Sequence, residues 1–506
     1  MKEILKINMK PVKLEQSYHE KKKIFHDYIN NIKRDCKWDI YNIINPTLIK
    51  NPYASELPKR FFNNKNSGKN KKSLFLKTIF KYYLKSFYLF ISYFIAFIVF
   101  KIYFKKHRQN SVINVIDIFA LVDNINKNKK FEENYLKGIY EVFEKYKTDY
   151  TILLRPYGVN KNPFKLIKFF KIINKDKRDF IFEYELLRLR DFVELFLLVL
   201  VYPFKVLRLL QKEDSEIDKI FNESLIEDIN NFNFESMTRY IFGKNISKID
   251  TLQKIYSWSE FQVIERSFNY AIRKNNINIE LIALQFFINY EIYFNTFVDD
   301  LDYEMLSSPH KVYVNGKYYI LKRKKIDYEV GVSLRYKSIY TFSGIKKEDD
   351  VLLLGSYFEN DTKYMLESVK EFDSVVFKNH PAVDINRFGK LSENIAISNE
   401  NIYKLFETTK LVIGTASGTA VEAVACGVSV IIIASQDNLT ANPLVEYGKG
   451  KIWDIAFSKD EIGLLYNQLL NYRENNKEEI RKISQWYKDN FFVEPTEENI
   501  ITVIPH

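Results

Sequence analysis

Residues 409–433, TKLVIGTASGTAVEAVACGVSVIII, constrain the fold of this chain more than any other stretch. Residues 411–413 and 428–433, the latter broken only by Ser429, are apolar runs of the kind buried on both faces of a parallel sheet. Between them the sequence predicts a short helix. It starts near Ser417 or Thr419, whose hydroxyls suit an N-cap, and stops where Gly427 can take the left-handed conformation that closes a helix. A loop of small residues at a helix N-terminus exposes backbone N–H groups and the positive end of the dipole, which suits a phosphate. Taken alone, the unit is equally compatible with an unliganded crossover in an α/β domain.

A second segment adds to the first. Residues 374–377 (SVVF) form another short apolar run and deliver Lys378, Asn379, His380 and Pro381 to the same carboxyl edge of the predicted sheet. Ligands of open α/β sheets bind beyond that edge. Lys378 offers a positive charge, His380 a donor that titrates near neutrality, and Pro381 stiffens the turn. Upstream, residues 351–355 (VLLLG) end at Gly355 and Ser356, which would face the same cleft; a plain strand-to-helix turn accounts for that pair equally well. Arg335, just before this region, is a further candidate for a phosphate contact.

The segments KNHPA, GTASGTAVEA and GVSVIII resemble the C-terminal domain of bacterial GT-B glycosyltransferases that build surface polysaccharides and lipooligosaccharides. Residues 258–274, 307–319 and 330–336 are similar to the second half of the N-terminal domain in the same group, so the resemblance covers about residues 255–455. It implies two Rossmann-like domains facing a cleft and metal-independent, inverting transfer of a sugar from a nucleotide donor. In such enzymes the His-Pro turn, here His380 and Pro381, and the helix start, here Ser417, Gly418 and Thr419, hold the nucleotide and phosphates, and Glu422 would meet the ribose. The His-Pro turn also marks transferases that use CMP-activated acidic sugars, so a CMP-sugar is one implied donor. The implied acceptor is a lipid-linked or oligosaccharide chain, and no cofactor or metal is expected.

One departure bears on the chemistry. Where the relatives carry a Gln-His pair, this chain reads Gln285, Phe286, Phe287. The base that takes the acceptor hydroxyl's proton is therefore assigned to Glu260, expected at the start of a helix over residues 259–273, where an ordinary first-turn carboxylate is the plainer reading. Two other function classes stay open: a non-catalytic, membrane-associated scaffold of polysaccharide assembly with a degenerate fold, and a metal-dependent transferase using Asp300 and Asp302. The two cysteines, Cys36 and Cys426, are far apart in sequence and do not read as a disulfide framework, which fits a reducing cytoplasm.

Charge is distributed unevenly. Residues 1–110 carry 24 Lys plus Arg against 7 Asp plus Glu, an excess larger than the net +12 of all 506 residues. No acidic residue occurs over 57–116, and inside that window residues 86–100 (SFYLFISYFIAFIVF) are uncharged and mostly apolar. Fifteen residues fall short of the roughly 20 a spanning helix needs. With Lys77, Lys81 and Lys85 repeating every fourth residue, the window predicts a basic amphipathic helix docking on an anionic inner leaflet. A single span and a buried core helix are the competing readings. The apolar character of the window and the lack of a nucleic-acid motif argue against nucleic acid. A further apolar run, residues 192–204, reads as a core helix or a second membrane-facing element.

The expected organisation is α/β and GT-B-like: a basic extension over 1–110 with a linker at 63–72, an acceptor domain over 111–335 with a helix at 131–146, a donor domain over 336–490 and a tail over 491–506. The expected location is the cytoplasmic face of the inner membrane.

Overall fold

The computed structural model describes residues 11–36, 38–63, 71–105, 111–157, 162–231, 233–346, 350–436 and 439–504. Residues 64–70 of the expected linker lie outside the described residues. Two parallel sheets organise the chain. The first joins β1 (Asn114–Leu121), β2 (Thr151–Tyr157), β3 (Phe180–Ile181), β4 (Lys254–Trp258), β5 (Glu280–Gln285), β6 (Lys311–Val314) and β7 (Asp327–Val330) in the order β3-β2-β1-β4-β5-β6-β7. The second joins β8 (Asp350–Leu354), β9 (Val375–Lys378), β10 (Ile395–Ile397), β11 (Thr409–Gly414), β12 (Ser429–Ile433) and β13 (Trp453–Ala456) in the order β10-β9-β8-β11-β12-β13. Each order reverses once, between β1 and β4 and between β8 and β11. A crevice opens beyond the carboxyl ends of the strands at such a reversal. Val351 to Leu353, Leu411 to Ile413 and Val430 to Ile432 are nearly inaccessible, which is why these strands read as continuous apolar runs. This is the GT-B-like arrangement expected, with a helical N-terminal extension.

Eight helices matter for the site and its surroundings: α1 (Pro11–Asp35), α2 (Lys71–Tyr103), α3 (Leu189–Val206), α4 (Asn233–Ile246), α5 (Val263–Asn275), α6 (Thr419–Ala425), α7 (Lys477–Phe491) and α8 (Glu497–Val503). The extension shares a core with the first sheet. Phe25 of α1 packs on Phe294 at 5.5 Å, and Lys33 forms a buried ion pair with Asp302, whose carboxylate also lies 2.7 Å from Arg266. These contacts hold the Asp300/Asp302 pair in structure. Asp302 is locked between two cations, and Asp300 accepts the backbone N–H groups of Lys324 and Lys325 at 3.1 and 2.9 Å, so the two carboxylates do not converge on one point.

The apolar window is not an isolated stretch of 15 residues but part of α2, a single helix of 33 residues. Tyr82, Leu89, Tyr93, Ala96 and Phe100 pack into the first domain, while Leu76, Phe80, Leu84 and Phe87 stay exposed. The 192–204 run lies in α3 and is divided the same way, with Phe192, Leu195, Leu198 and Val199 inside and Val193, Phe196, Leu197 and Leu200 outside. The helix expected over 131–146 is shorter, Ile139–Lys145. Glu133 turns the preceding chain by accepting the N–H groups of Tyr135 and Leu136, and Gly138, at φ +98°, starts the helix. Residues 491–504, read as a tail, carry α8 back to the first sheet: Ile500 and Val503 join its core, and Lys145 pairs with Glu497. Phe491 at the end of α7 is held on the way, its carbonyl accepting Asn315 Nδ2 at 2.8 Å.

Removing one partner of a buried pair strands the other charge, so Asp302→Asn is expected to cost about 3–5 kcal/mol in chemical unfolding. The two cations hold the Asp302 carboxyl well below the usual carboxylate range, against burial that pushes it up. That contribution is present above the unfolded-state value of about 4 and is lost as the pH falls below it, so the gap between wild type and variant should narrow under acid conditions.

Candidate active site

The register of the second sheet builds one edge from three loops. Leu354 pairs with Lys378 and Gly414 with Leu354, so β9, β8 and β11 end in a row. With strands about 4.8 Å apart, the loops after β9 and β11 start about 10 Å from each other, separated by the loop after β8. The His-Pro turn and the start of α6 therefore share the rim of the β8/β11 crevice.

Gly355 lets the first two loops meet. A Cβ there would come within 2.8 Å of the His380 backbone nitrogen and 3.1 Å of Asn379 Oδ1, whereas glycine allows Gly355 N–H to donate to the Lys378 carbonyl at 2.9 Å. His380 Nδ1 accepts the Ala382 N–H at 3.2 Å, which places the ring proton on Nε2. Burial lowers the imidazole pKa, so the ring is a neutral Nε2–H donor near neutrality. Tyr357 packs on the ring in a T-shaped arrangement, centroids 5.8 Å apart, and Pro381 is exposed beside it.

The third loop turns at Ala416, at φ +50°, and places Ser417, Gly418 and Thr419, all partly exposed, at the start of α6. The N-cap is Gly418 rather than a hydroxyl residue, and no side chain caps the helix. With seven residues, α6 offers its first-turn N–H groups more than a long dipole. Gly427, at φ +82°, takes the left-handed conformation expected of it. Glu422, facing back along α6, is buried and accepts the Tyr403 hydroxyl. Burial raises its pKa, and the Tyr403 bond and the Arg335 charge act in the opposite direction.

At the carboxyl ends of its strands the first sheet carries an aromatic shelf. Tyr135 lies 4.6 Å from Trp258, Trp258 5.3 Å from Phe287, and Phe119 4.7 Å from Tyr135, all as ring centroids. The exposed Arg335 lies over Tyr135 at 5.4 Å and Trp258 at 5.9 Å. Its charge also reaches Glu422 of the other half. Ile288 touches the other side: a Cβ on Gly418 would lie 3.2 Å from the Ile288 Cβ. Beneath the shelf, buried Asp117 is held by Arg239, by Arg155 at 3.1 Å and by the Ser257 hydroxyl at 3.1 Å.

Glu260 is on this shelf but not in a helix. β4 ends at Trp258 and α5 begins at Val263, leaving Glu260 in the loop, partly exposed, next to Phe261 at φ +52°. The first-turn role falls to Glu265, whose carboxylate accepts the Gln262 N–H at 2.9 Å. In the Gln285-Phe286-Phe287 segment, Gln285 donates to the Thr296 carbonyl at 3.1 Å, Phe286 is buried, and Phe287 reaches the shelf.

Two candidates are turned away from the cleft. Ser356 is 0% exposed; its hydroxyl accepts the Phe358 N–H and its own N–H donates to Thr362, a purely local turn. Lys378 Nζ donates to the Glu400 carbonyl at 2.6 Å, on the β10 side of the sheet. The structure adds residues that sequence reading missed: Tyr403, Tyr135 and three buried polar atoms without a hydrogen-bond partner, Thr415 Oγ1, Asn379 Oδ1 and Trp258 Nε1, at the carboxyl ends of strands on both sides. Of these, Asn379, inside the KNHPA segment, and Thr415, inside the hydroxyl-rich loop, had a signal in the sequence. A cavity of about 540 Å³ lined by Ser374, Lys410 and Lys459 opens at the opposite, amino edge of the second sheet, away from these loops.

No family model matches the sequence, and no curated protein matches it. Among solved structures, the chain is similar to the UDP-GlcNAc 2-epimerase from Neisseria meningitidis (9% identity, 78% of this chain and 99% of that one, TM-score 0.42). It is also similar to the UDP-GlcNAc 2-epimerase from Methanocaldococcus jannaschii (13%, 78% and 99%, 0.39) and to the glycosyltransferase of kitacinnamycin (10%, 78% and 100%, 0.40). At these scores the likeness carries no argument, and the fold assignment stands on the two sheets and their order.

Adding a methyl group at Gly355 forces the His-Pro turn outward, so Gly355→Ala is expected to lower the unfolding free energy by about 1–3 kcal/mol. Gly463→Ala, on a helix where nothing lies within 4 Å of the added Cβ, should leave stability unchanged or raise it in the same denaturant titration.

Proposed function

We propose that this protein is a glycosyltransferase that moves a sugar from a nucleotide-activated donor, a CMP-sugar being one candidate, to a lipid-linked or surface-polysaccharide acceptor at the cytoplasmic face of the inner membrane. The observation that carries the reading is the rim that the His380 turn and the Ser417–Thr419 loop share through the register of β9, β8 and β11, with Ile288 and Arg335 of the other half beside it.

In this reading the first-turn N–H groups of α6 and the hydroxyls of Ser417 and Thr419 hold the donor phosphates, and Glu422 with Tyr403 meets the ribose. The acceptor saccharide stacks on Tyr135 and Phe287. Its hydroxyl loses a proton to Glu260 as it attacks the anomeric carbon; the bond from that carbon to phosphate breaks, inverting the centre, and His380 Nε2–H and Arg335 stabilise the departing negative charge. Closure of the two halves on the donor would exclude water and limit hydrolysis. A scaffold that has kept the fold without turnover is the second reading, and the Gln285-Phe286-Phe287 segment favours it.

A thermal-shift panel of CMP, CDP, UDP and GDP tests the donor site, because a ligand that binds only the folded state raises Tm. One nucleotide should raise Tm in the wild type and not in His380→Ala, while Lys370→Ala, at an exposed helix end, should behave as wild type. Transfer or donor hydrolysis should fall about 10²-fold or more in Glu260→Gln with nucleotide binding retained, which separates an enzyme from a scaffold. Both activities should persist in excess chelator; loss on chelation would sink the metal-independent mechanism.

A further inference from the structure

α2 is long and apolar enough to cross a membrane by length and composition, but only 33% of its most apolar window is buried inside the protein. Its outward face is one continuous stripe. Leu76 (69% exposed), Phe80 (67%), Leu84, Phe87, Ile91, Ile95, Ile98 and Ile102 recur every three or four residues over about 39 Å of helix. α3 lies antiparallel beside it. Phe94 and Phe97 each lie 5.1 Å from Phe192, Phe90 lies 6.0 Å from Phe196, and the Tyr83 hydroxyl donates to the Leu200 carbonyl at 2.8 Å. Phe196 and Leu200 are themselves exposed, so the seam between the helices is at the surface. Leu189, Val193, Leu197 and Phe204 therefore extend the stripe of α2 into a two-helix apolar face.

Charge identifies what covers this face. α2 contains no acidic residue, and Lys77, Lys81, Lys85 and Lys101 are exposed along its flanks. Arg188, Arg190 and Arg208 are exposed at the two ends of α3, and the acidic group on its outer half, Glu194, is neutralised by Lys244 from α4. An apolar strip edged by cations of one sign matches the interface of a bilayer rich in anionic lipid, where acyl chains take the centre and headgroups the rim.

We infer that α2 and α3 together form an in-plane seat on an anionic membrane, and that α2 does not span it. The inner face of α2 is closed against the first domain along its length, from the Tyr82 hydroxyl on the Val199 carbonyl (3.0 Å) to Phe100 on Phe170 (5.4 Å). Lys85 is fixed at mid-helix, donating to the Asn230 carbonyl at 2.9 Å. A helix joined to a water-soluble domain in this way cannot be surrounded by lipid without breaking those contacts. The seat deepens the membrane part of the proposed function and is independent of the transfer chemistry, because vesicle binding is measured without nucleotide and nucleotide binding without vesicles.

The test is flotation of the full chain with vesicles of anionic phospholipid against vesicles of phosphatidylcholine alone. The seat predicts binding to the anionic vesicles that weakens in high salt and is stripped by alkaline carbonate. Phe80→Ser/Phe87→Ser on α2 and Val193→Ser/Leu197→Ser on α3 should each lower partitioning about tenfold or more with Tm unchanged. Wild-type binding by the α3 variant would overturn the two-helix seat. Resistance to carbonate would show a span instead, equal binding to neutral vesicles would refute the basic rim, and a stable dimer without vesicle binding would assign the face to a second copy.

Discussion

The shared register of β9, β8 and β11 is the constraint on which the site depends. In a parallel sheet every strand delivers its following loop to the same edge, and hydrogen-bonded pairing of Lys378 with Leu354 and of Leu354 with Gly414 leaves no freedom in where the three loops begin. Gly355 converts that alignment into contact, because a larger residue would hold the His-Pro turn away from the strand beside it. The distance from the turn to α6 follows from this backbone arrangement, while the tautomer of His380 is set by the Ala382 N–H and its ring position by Tyr357.

Arg335 lies in the segment between the two sheets, over the aromatic shelf of one and within electrostatic reach of Glu422 on the other. Ile288 packs at Gly418, and α8 returns past the second domain to seal the first. The two halves are thus joined by packing at Ile288 and by chain crossings that carry Arg335 and α8 between them. Charged groups with no part in it, such as Lys33, Arg266 and Asp302, serve to fasten α1 to the same framework.

Much of the fold was legible because apolar runs in parallel strands are buried on both faces and interrupt an otherwise polar chain. β8, β9, β11 and β12 were all found within a residue or two of their observed ends, as was Gly427. Errors arose where a local hydrogen bond outweighed periodicity: Glu133 and Gly138 cut short the helix expected at 131–146, and the loop after β4 carries Glu260 outside α5. Lys378 and Ser356 were placed at the right edge but not aimed at the cleft, since a strand end fixes position while the available carbonyls and hydroxyls fix direction.

By itself, the sequence determined the apolar strands of the second sheet, the glycine and hydroxyl loop, the His-Pro turn and a basic, apolar extension, because each is written in short-range spacing and composition, while the pair of Rossmann-like domains came from the family resemblance. Only the tertiary structure decided which of these meet. The pairing of Tyr403 with Glu422, the shelf of Tyr135 on Trp258, the alignment of α3 with α2 and the closure of Asp302 by Lys33 join residues from 19 to 269 positions apart. No local pattern encodes such contacts, since they arise from the packing of whole elements against one another.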